Sequence, residues 1–466
     1  MTDPVRLIDL DWPTFGTPAP PPPPSAAALG ARIDALRARM AARDLTHVVL
    51  FADREHFANL AWLTNFDPRF EEAVLVVGTS GPPLLLVGNE CAGYVGISAL
   101  DAAGALRHEL FQPLSLVSQP RGESRLLREI LGDEGISDGA RVGAVGWKYL
   151  RDAEHPDARH ALDVPSWIAD TLRDLAGHDR VVNATDLFID PADGLRTVAS
   201  VDDIAAFEHA NAVAADGMRA MLFGLEEGMT DFEAMALAGL NGMPLGCHPT
   251  FATGPSRHLG LKSPSGEVLR RGAPMSANLC TWRANICRAG WLVDGPADLP
   301  DEARDYVEAF AGPYFAALAE WFGLMRIGTP GGQIQALIDE RLPFDKFGIG
   351  LNPGHLIDLD EWTSSPIYPG SDLPIRSGMV IQVDVIPSSP RYFSTRMEDG
   401  IAILDASARE ALRARHPDVH ARCTARRAFM QDTLGIALPD EVLPLSNMPA
   451  IVPPFFLDPR HVFALA

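Results

Sequence analysis

The sequence has few basic residues, few aromatic residues and few cysteines, and it has no long apolar run. Its 39 lysines and arginines stand against 61 aspartates and glutamates, which gives a formal net charge of −22 over 466 residues. A chain this acidic repels nucleic-acid phosphates and anionic membrane surfaces. No window approaches the roughly 18 continuous apolar residues that a membrane span requires. These absences favour a protein that acts on small molecules.

Cysteine usage argues against a disulfide framework and against a structural zinc site. Neither a close pair nor a zinc-type spacing occurs among the five cysteines, which are Cys91, Cys247, Cys280, Cys287 and Cys423. The first residues, MTDPVRLIDLDW, carry acids where a secretory leader needs a basic and then an apolar run. An odd number of cysteines without such a leader favours free thiols in a reducing compartment, so we expect a cytoplasmic protein.

Hydrophobic residues make up 47% of the chain, which is too many for a disordered protein, and the length suggests two domains. The segment ALGARIDALRARMAARDL has helical spacing, and THVVLFA and EEAVLVVGTSGPPLLLVG indicate strands. From Ser200 a long amphipathic helix begins with a capping box that Asp203 completes, and later helices accompany antiparallel strands. We predict an α/β domain followed by an α+β domain. The predicted boundaries are a Pro-rich arm at 1–25, domains at 26–190 and 191–435, and a Pro-rich tail at 436–466.

Polar residues recur on single faces of the predicted strands. Gln382 and Asp384 share one face of MVIQVDVIP, and Arg396 and Glu398 share one face of STRMEDGIAIL. A carboxylate inside an apolar strand is costly unless it is paired or bound to a cation. Asp384 and Glu398 are therefore either functional acids or members of a buried ion pair with Arg396 or Arg288.

A predicted hairpin, PMSANLCTWRANICRAG, also carries polar residues in register. Asn278 and Cys280 point one way on its first arm, and Asn285 and Cys287 point one way on its second. Further along, GIGLNPGHLIDLDEW places His355 between glycines in a loop. Loops on a rigid scaffold favour functional side chains, although a single histidine is often a structural donor.

The order of these pieces resembles the creatinase and Xaa-Pro aminopeptidase family, and the resemblance covers about 26–404. Its most specific parts are LRTVASVDDIAAFEHAN, GHLIDLDEW and TRMEDGIAI. The resemblance implies an α/β N-terminal domain and an α+β catalytic domain of the pita-bread fold. It also implies a homodimer in which the N-terminal domain contributes to the partner's site, with Phe66 and Arg69 of NFDPRFEE as substrate contacts.

Metallopeptidases of this family bind two divalent metals through two aspartates, a histidine and two further acids. The resemblance places the histidine on His355 and the acids on Asp384 and Glu398, but the two aspartates fall on Asn278 and Asn285. A neutral amide oxygen is a weak ligand for a hard cation, so two dications would remain uncompensated. We expect no cofactor, or at most one weakly bound Mn, Co or Zn ion on His355, Asp384 and Glu398.

Creatinase, the metal-free branch of the family, hydrolyses a C–N bond with a histidine and acidic residues. Its catalytic histidine corresponds to a position near Leu261 or Lys262 here, and His258 is the nearby substitute. Its substrate-binding glutamate corresponds to Cys287, which precedes Arg288. Cys287 is therefore either a nucleophile or a buried, inert thiol, and the sequence leaves both alternatives open.

The resemblance leads to one functional hypothesis and two alternatives. The first is a creatinase-like hydrolase of a C–N bond in a small amino or amidino substrate, without a full dinuclear centre. His355 or His258 would move protons, and Asp384 and Glu398 would bind a cationic group or orient water. The alternatives are a metal-dependent Xaa-Pro dipeptidase or aminopeptidase and a catalytically silent pita-bread binding protein. The implied substrate-binding residues are Asn278, Asn285, Cys287, Arg288, Phe66 and Arg69.

Overall fold

The structure is a computed structural model, and it describes residues 5–466. The chain divides into two compact units, of which one is Pro22–Arg196 and the other comprises the remaining described residues. The predicted domain boundary near residue 190 lies a few residues before this division. Among residues 5–466, no helix combines the length and the apolar composition that crossing a membrane would require.

The unit Pro22–Arg196 contains a six-stranded mixed sheet covered on both faces. In spatial order its strands are Arg107–Leu110, Leu84–Val87, Ala73–Gly78, His47–Ala52, Val142–Val145 and Val181–Asn183. Its α-helices are Ala26–Ala42, Ala58–Thr64, Ala99–Ala102, Leu127–Asp133, Ser166–Ala176 and Asp186–Ile189. Val48 and Leu50 belong to one hydrophobic cluster, and Val49 and Phe51 belong to another. This alternation shows that helices bury both faces of the central strand, as the predicted α/β domain requires.

The second unit contains two four-stranded antiparallel sheets and a two-stranded ribbon. The first sheet has the order Arg396–Glu398, Ala284–Trp291, Pro274–Thr281 and Thr250–Thr253. The second has the order His355–Leu356, Val380–Gln382, Gly400–Ile403 and Val442–Pro444. The α-helices of this unit are Val201–Gly224, Asp231–Ala236, Gly312–Leu324, Gly331–Arg341, Phe344–Phe347, Ala406–Arg415 and Pro417–Asp432. Helices beside antiparallel sheets confirm the predicted α+β class.

The long helix Val201–Gly224 begins where the capping box predicted. Ser200 Oγ accepts the Asp203 N–H, and the Asp203 carboxylate accepts the Ser200 N–H, so two otherwise unpaired backbone donors are satisfied. Met218 of this helix shares a hydrophobic cluster with Leu279 and Ile286 of the hairpin. The apolar face of the hairpin is therefore buried in the core, and its polar face is left for the site.

Both ends of the chain differ from the sequence-based expectation. Val5–Asp9, within the predicted Pro-rich arm, pairs antiparallel with His461–Leu465. The C-terminal segment was expected to wrap the surface as a Pro-rich tail, but Phe455, Phe456 and Phe463 are buried in the main core. Three large aromatic side chains drive this burial despite the prolines around them.

One predicted helix is irregular in the structure. The segment 301–323 starts with a 3₁₀ turn at Asp301–Ala303 and a π-helical turn at Val307–Ala311, before the α-helix Gly312–Leu324. Pro313 has no N–H, so the regular ladder of hydrogen bonds is interrupted at this point. Similarly, the predicted strand MVIQVDVIP forms regular pairs only over Val380–Gln382, and Asp384 lies just beyond it.

Candidate active site

The candidate site lies where the two four-stranded sheets of the second unit meet. The strand Arg396–Glu398 belongs to the first sheet, and Gly400–Ile403, two residues later, belongs to the second. Asn211 of the long helix fixes this junction, because its Oδ1 accepts the Gly400 N–H at 3.1 Å and its Nδ2 donates to Arg283 O at 3.0 Å. Sequence reasoning did not identify Asn211, although it ends the quoted motif LRTVASVDDIAAFEHAN.

His355 lies at the edge of the second sheet, paired with Gln382. The preceding Gly354 has a φ of 120°, and a Cβ there would lie 3.1 Å from Gln382 O, so a glycine is required next to the histidine. The imidazole is fully buried and stacks on Trp362 at a centroid distance of 4.0 Å. The stack and the strand pairing hold the ring in one orientation.

Asp384 and Glu398 converge on one guanidinium group. Arg396 Nη2 donates to Asp384 Oδ1 at 2.8 Å and to Glu398 Oε2 at 2.7 Å. The two carboxylates are 4% and 0% exposed, so they are desolvated and need this partner. The ion-pair alternative is thus present with Arg396. Arg288 instead pairs with Asp399 at 2.9 Å.

His355 Nε2 faces three carboxylates and has no hydrogen-bond partner among the described residues. It lies 3.4 Å from Glu361 Oε1 and 3.8 Å from an oxygen of each of the other two acids, Asp384 and Glu398. Its other nitrogen, Nδ1, lies 3.2 Å from Leu356 O. The unpartnered Nε2 is therefore the atom available to a substrate or a water molecule.

Glu361 is a site residue that sequence reasoning missed. It lies in the quoted GHLIDLDEW motif, six residues after His355, where no strand periodicity assigns it a face. A turn returns it to the histidine, since Leu356 N donates to Ser364 O at 2.8 Å. The Glu361 side chain is 27% exposed, so it forms part of the opening of the site.

The two asparagines of the hairpin form a hydrogen-bond chain into the acids. Asn278 Nδ2 donates to Asn285 Oδ1 at 2.6 Å. Asn285 Nδ2 in turn donates to Glu361 Oε1 at 3.1 Å and to Glu398 Oε1 at 2.9 Å. The Asn285 carbonyl oxygen is therefore engaged by the neighbouring amide, while its N–H groups point at the carboxylates.

This donor set fits at most one cation and does not fit a pair. The donor atoms of His355, Asp384 and Glu398 lie within 4.8 Å of one another, which suits a single divalent ion. A second ion would meet amide N–H groups of Asn285 where anionic oxygens are needed, and Arg396 already occupies one oxygen of each buried acid.

Burial and neighbouring charges shift the pKa values of Glu398 and His355. Burial, with the nearby Asp384 carboxylate, raises the pKa of Glu398 from 4.5 to about 7, although Arg396 opposes the shift. For His355, burial lowers the pKa, but Glu398, Glu361 and Asp384 together outweigh it and leave the pKa raised. Glu398 can therefore exchange a proton near neutral pH, and the surrounding acids favour the protonated form of His355.

The raised pKa of Glu398 predicts a pH-dependent stability. The folded chain binds this proton at pH values where the unfolded chain, with a pKa of 4.5, has lost it. The stabilising contribution is complete below pH 4.5 and is lost as the pH rises through about 7. Urea unfolding between pH 4.5 and 8 should show a free energy of unfolding that falls with pH through this group.

Glu398→Gln should flatten that slope, because glutamine does not titrate. The matched control is Glu123→Gln, which changes an exposed glutamate and should leave the slope unchanged. An equal slope in the wild-type chain and in Glu398→Gln would show that Glu398 ionises in the folded state as it does in the unfolded chain.

The structure brings Cys287 to the site and directs Arg288 elsewhere. Cys287 is the register partner of both Asn278 and Glu398, but burial raises the pKa of its thiol to about 12. A thiol is a poor nucleophile in this state, which favours the inert alternative. Arg288 is fully buried, and its guanidinium donates to the Asp399 carboxylate. It also donates to four backbone carbonyl oxygens, those of Cys287, Glu398, Met448 and Ile451.

Three further predicted residues are not part of the cluster. His258 is exposed in a turn after the strand Thr250–Thr253, and no contact joins it to His355 within residues 5–466. In the unit Pro22–Arg196, Phe66 is fully buried and packs on Tyr94, while Arg69 donates to Tyr94 Oη at 2.6 Å. The catalytic role of His258 and the substrate-binding roles of Phe66 and Arg69 stay predictions.

Comparison with solved structures shows the fold. A prolidase from Pyrococcus horikoshii OT3 matches with a TM-score of 0.61 at 16% identity, covering 80% of this chain and 95% of that one. A prolidase from Thermococcus sibiricus has a TM-score of 0.61 at 15% identity, covering 90% and 96%. An X-Pro aminopeptidase from Thermotoga maritima MSB8 has a TM-score of 0.58 at 14% identity, covering 80% and 95%. The chain therefore has the pita-bread fold expected from the resemblance.

The sequence itself matches no family model and no curated protein. At identities of 14–16%, the likeness to these solved structures shows a shared fold but does not establish an activity. The function must consequently be argued from the site.

Proposed function

We propose that the protein is a hydrolase of a C–N bond in a small amino or amidino substrate, and that it works without a dinuclear metal centre. The observation that carries the proposal is the Asn285 amide, whose N–H groups bond Glu361 and Glu398. Amide donors here stabilise the carboxylates in place of a metal. The likeness to the structures of a prolidase and an X-Pro aminopeptidase supports hydrolysis of a C–N bond as the reaction class.

The charges of the cluster favour a cationic substrate group. Three carboxylates, those of Asp384, Glu398 and Glu361, lie around His355, and the Arg396 guanidinium pairs with the first two of them. Glu361, whose side chain is 27% exposed, would meet an ammonium or amidinium group first, and Glu398 would lie behind it. Such a ligand would complete the neutralisation that Arg396 begins.

Hydrolysis then needs one proton removed from water and one delivered to the leaving nitrogen. His355 Nε2, which is unpartnered and close to three acids, would take the proton as water adds to the carbon of the C–N bond. The same proton, or that of Glu398 with its pKa of about 7, would pass to the nitrogen as the bond breaks. The products are an amine and a carboxylic acid or urea-type compound, so the atoms of water are accounted for.

The test is turnover by the EDTA-treated full chain on a panel of small guanidino, amino-acid and dipeptide compounds. We expect release of an amine that EDTA does not abolish. His355→Ala should lower kcat by roughly 10²–10⁴, the usual contribution of a general acid–base group. The control His155→Ala changes an exposed histidine of the other unit and should leave kcat unchanged.

A metal-dependent Xaa-Pro peptidase is the second candidate, favoured by the single-cation donor set of His355, Asp384 and Glu398. It predicts cleavage of Gly-Pro or Ala-Pro that Mn²⁺ restores after EDTA. Tight binding of a panel compound without turnover would instead support a silent binding protein and contradict both hydrolase proposals.

A further inference from the structure

Two cysteines lie side by side at the edge of the hairpin. The segment 244–246 runs antiparallel to the end of the strand Pro274–Thr281, because Trp282 N donates to Pro244 O at 3.0 Å and Gly246 N donates to Cys280 O at 3.2 Å. Leu245 and Thr281 form a β-bridge in the same register. In this register Gly246 lies opposite Cys280, and Cys247 is the next residue.

Glycine at position 246 leaves the space that the Cys280 thiol uses. A Cβ at this position would lie 2.7 Å from Cys280 Sγ, so any side chain there would displace the sulfur. Cys247 directly follows this glycine in the sequence, so the backbone pairing brings it next to Cys280. Cys280 is fully buried and Cys247 is exposed, so an oxidant reaches the pair from one side only.

The other three cysteines lack this arrangement. Cys91 donates to Pro68 O, Cys423 lies against Arg426, and Cys287 is enclosed in the hairpin; all three are buried free thiols. Cys247 is consequently the exposed thiol among the five, and it has a second thiol within reach.

We propose that Cys247 and Cys280 are a modification site, a thiol pair that a peroxide oxidises to an intramolecular disulfide. Cys247 Sγ attacks the O–O bond of hydrogen peroxide and becomes a sulfenic acid, with release of water. Cys280 Sγ then attacks that sulfur and displaces its oxygen as a second water molecule. The two thiols lose two protons and two electrons, and the peroxide gains them to give two water molecules.

The site and the thiol pair are neighbours on the hairpin. Cys280 is the register partner of Asn285, whose amide bonds Glu361 and Glu398. Closing the disulfide pulls the segment 244–247 onto the strand that carries Cys280. The proposal itself concerns the thiols alone, so it stands or falls independently of the proposed hydrolysis.

The experiment treats the reduced full chain with hydrogen peroxide and maps peptides under non-reducing conditions. The expected product is a monomeric chain lighter by about 2 Da, with Cys247 and Cys280 peptides linked and the link broken by dithiothreitol. Titration of the unfolded oxidised chain should find three thiols, since two of the five are consumed.

Cys247→Ser should abolish the link, whereas Cys423→Ser, a matched change at a buried cysteine, should preserve it. Cys280→Ser should leave Cys247 to oxidise to a sulfinic acid without a resolving partner. Three outcomes would overturn the proposal: no reaction, sulfinic acid at Cys247 in the wild-type chain, or a disulfide between two chains on a non-reducing gel.

Discussion

Replacing Arg396 by methionine is expected to lower the free energy of unfolding by about 3–5 kcal/mol at pH 8. The guanidinium is the cation that contacts both Asp384 and Glu398, which are 4% and 0% exposed. Methionine approximates the volume of the side chain and removes the charge, so two buried carboxylates lose their counterion. Chemical denaturation monitored by tryptophan fluorescence measures the change.

The loss should be smaller at pH 5 than at pH 8. Glu398, with its pKa of about 7, takes up a proton as the pH falls, and an uncharged acid needs no counterion. Arg391→Met is the matched control, because Arg391 forms an ion pair with Asp305 in which both side chains are about half exposed. That change should cost at most ~1 kcal/mol.

A second substitution separates charge from packing. Adding Asp384→Asn to Arg396→Met removes one of the two buried carboxylates that have lost their counterion. The double variant should therefore be more stable than Arg396→Met alone. If both substitutions destabilise additively, Arg396 acts through the packing of its aliphatic stem, and the electrostatic account of the cluster is wrong.

Period-two alternation was enough to predict which side chains share a face. Asn278 pairs with Cys287 and Cys280 pairs with Asn285, so the residues expected to share a face on each arm do so. Strand periodicity is a local property, and the cost of burying polar groups in the core fixes which face turns outward. The convergence of His355 with the acids came from the family resemblance and not from periodicity.

Other features of the site and of the fold cannot be predicted from the local sequence. Glu361 is in a turn, where periodicity does not apply. The pairing of Val5–Asp9 with His461–Leu465 joins the two ends of the chain, and neither segment indicates its partner. Likewise, an asparagine in a sequence does not reveal whether its oxygen or its N–H groups face a carboxylate, and for Asn285 this orientation decides how the site is stabilised.

Restoring carboxylates at both hairpin positions is expected to convert the site to a metal-binding one. In the Asn278→Asp/Asn285→Asp variant, the carboxylate at 285 would replace an amide that lies 2.9–3.1 Å from Glu398 and Glu361. Without metal, the clustered negative charges should destabilise the variant by several kcal/mol, about the cost of a buried unpaired charge. Thermal unfolding in EDTA measures this loss.

With Mn²⁺ present, the same variant should recover stability. At a metal concentration 100 times Kd, binding contributes about 2.7 kcal/mol, which thermal unfolding detects as a raised Tm. The wild-type chain should show no comparable shift, because its amides compensate the acids without supplying anionic ligands. Adding His355→Ala to the variant should abolish the Mn²⁺ effect, since His355 is the nitrogen donor of the cluster. A wild-type Tm that rises with Mn²⁺ as much as that of the variant, together with two metals per chain in purified protein, would mean that the asparagines do not prevent a dinuclear centre.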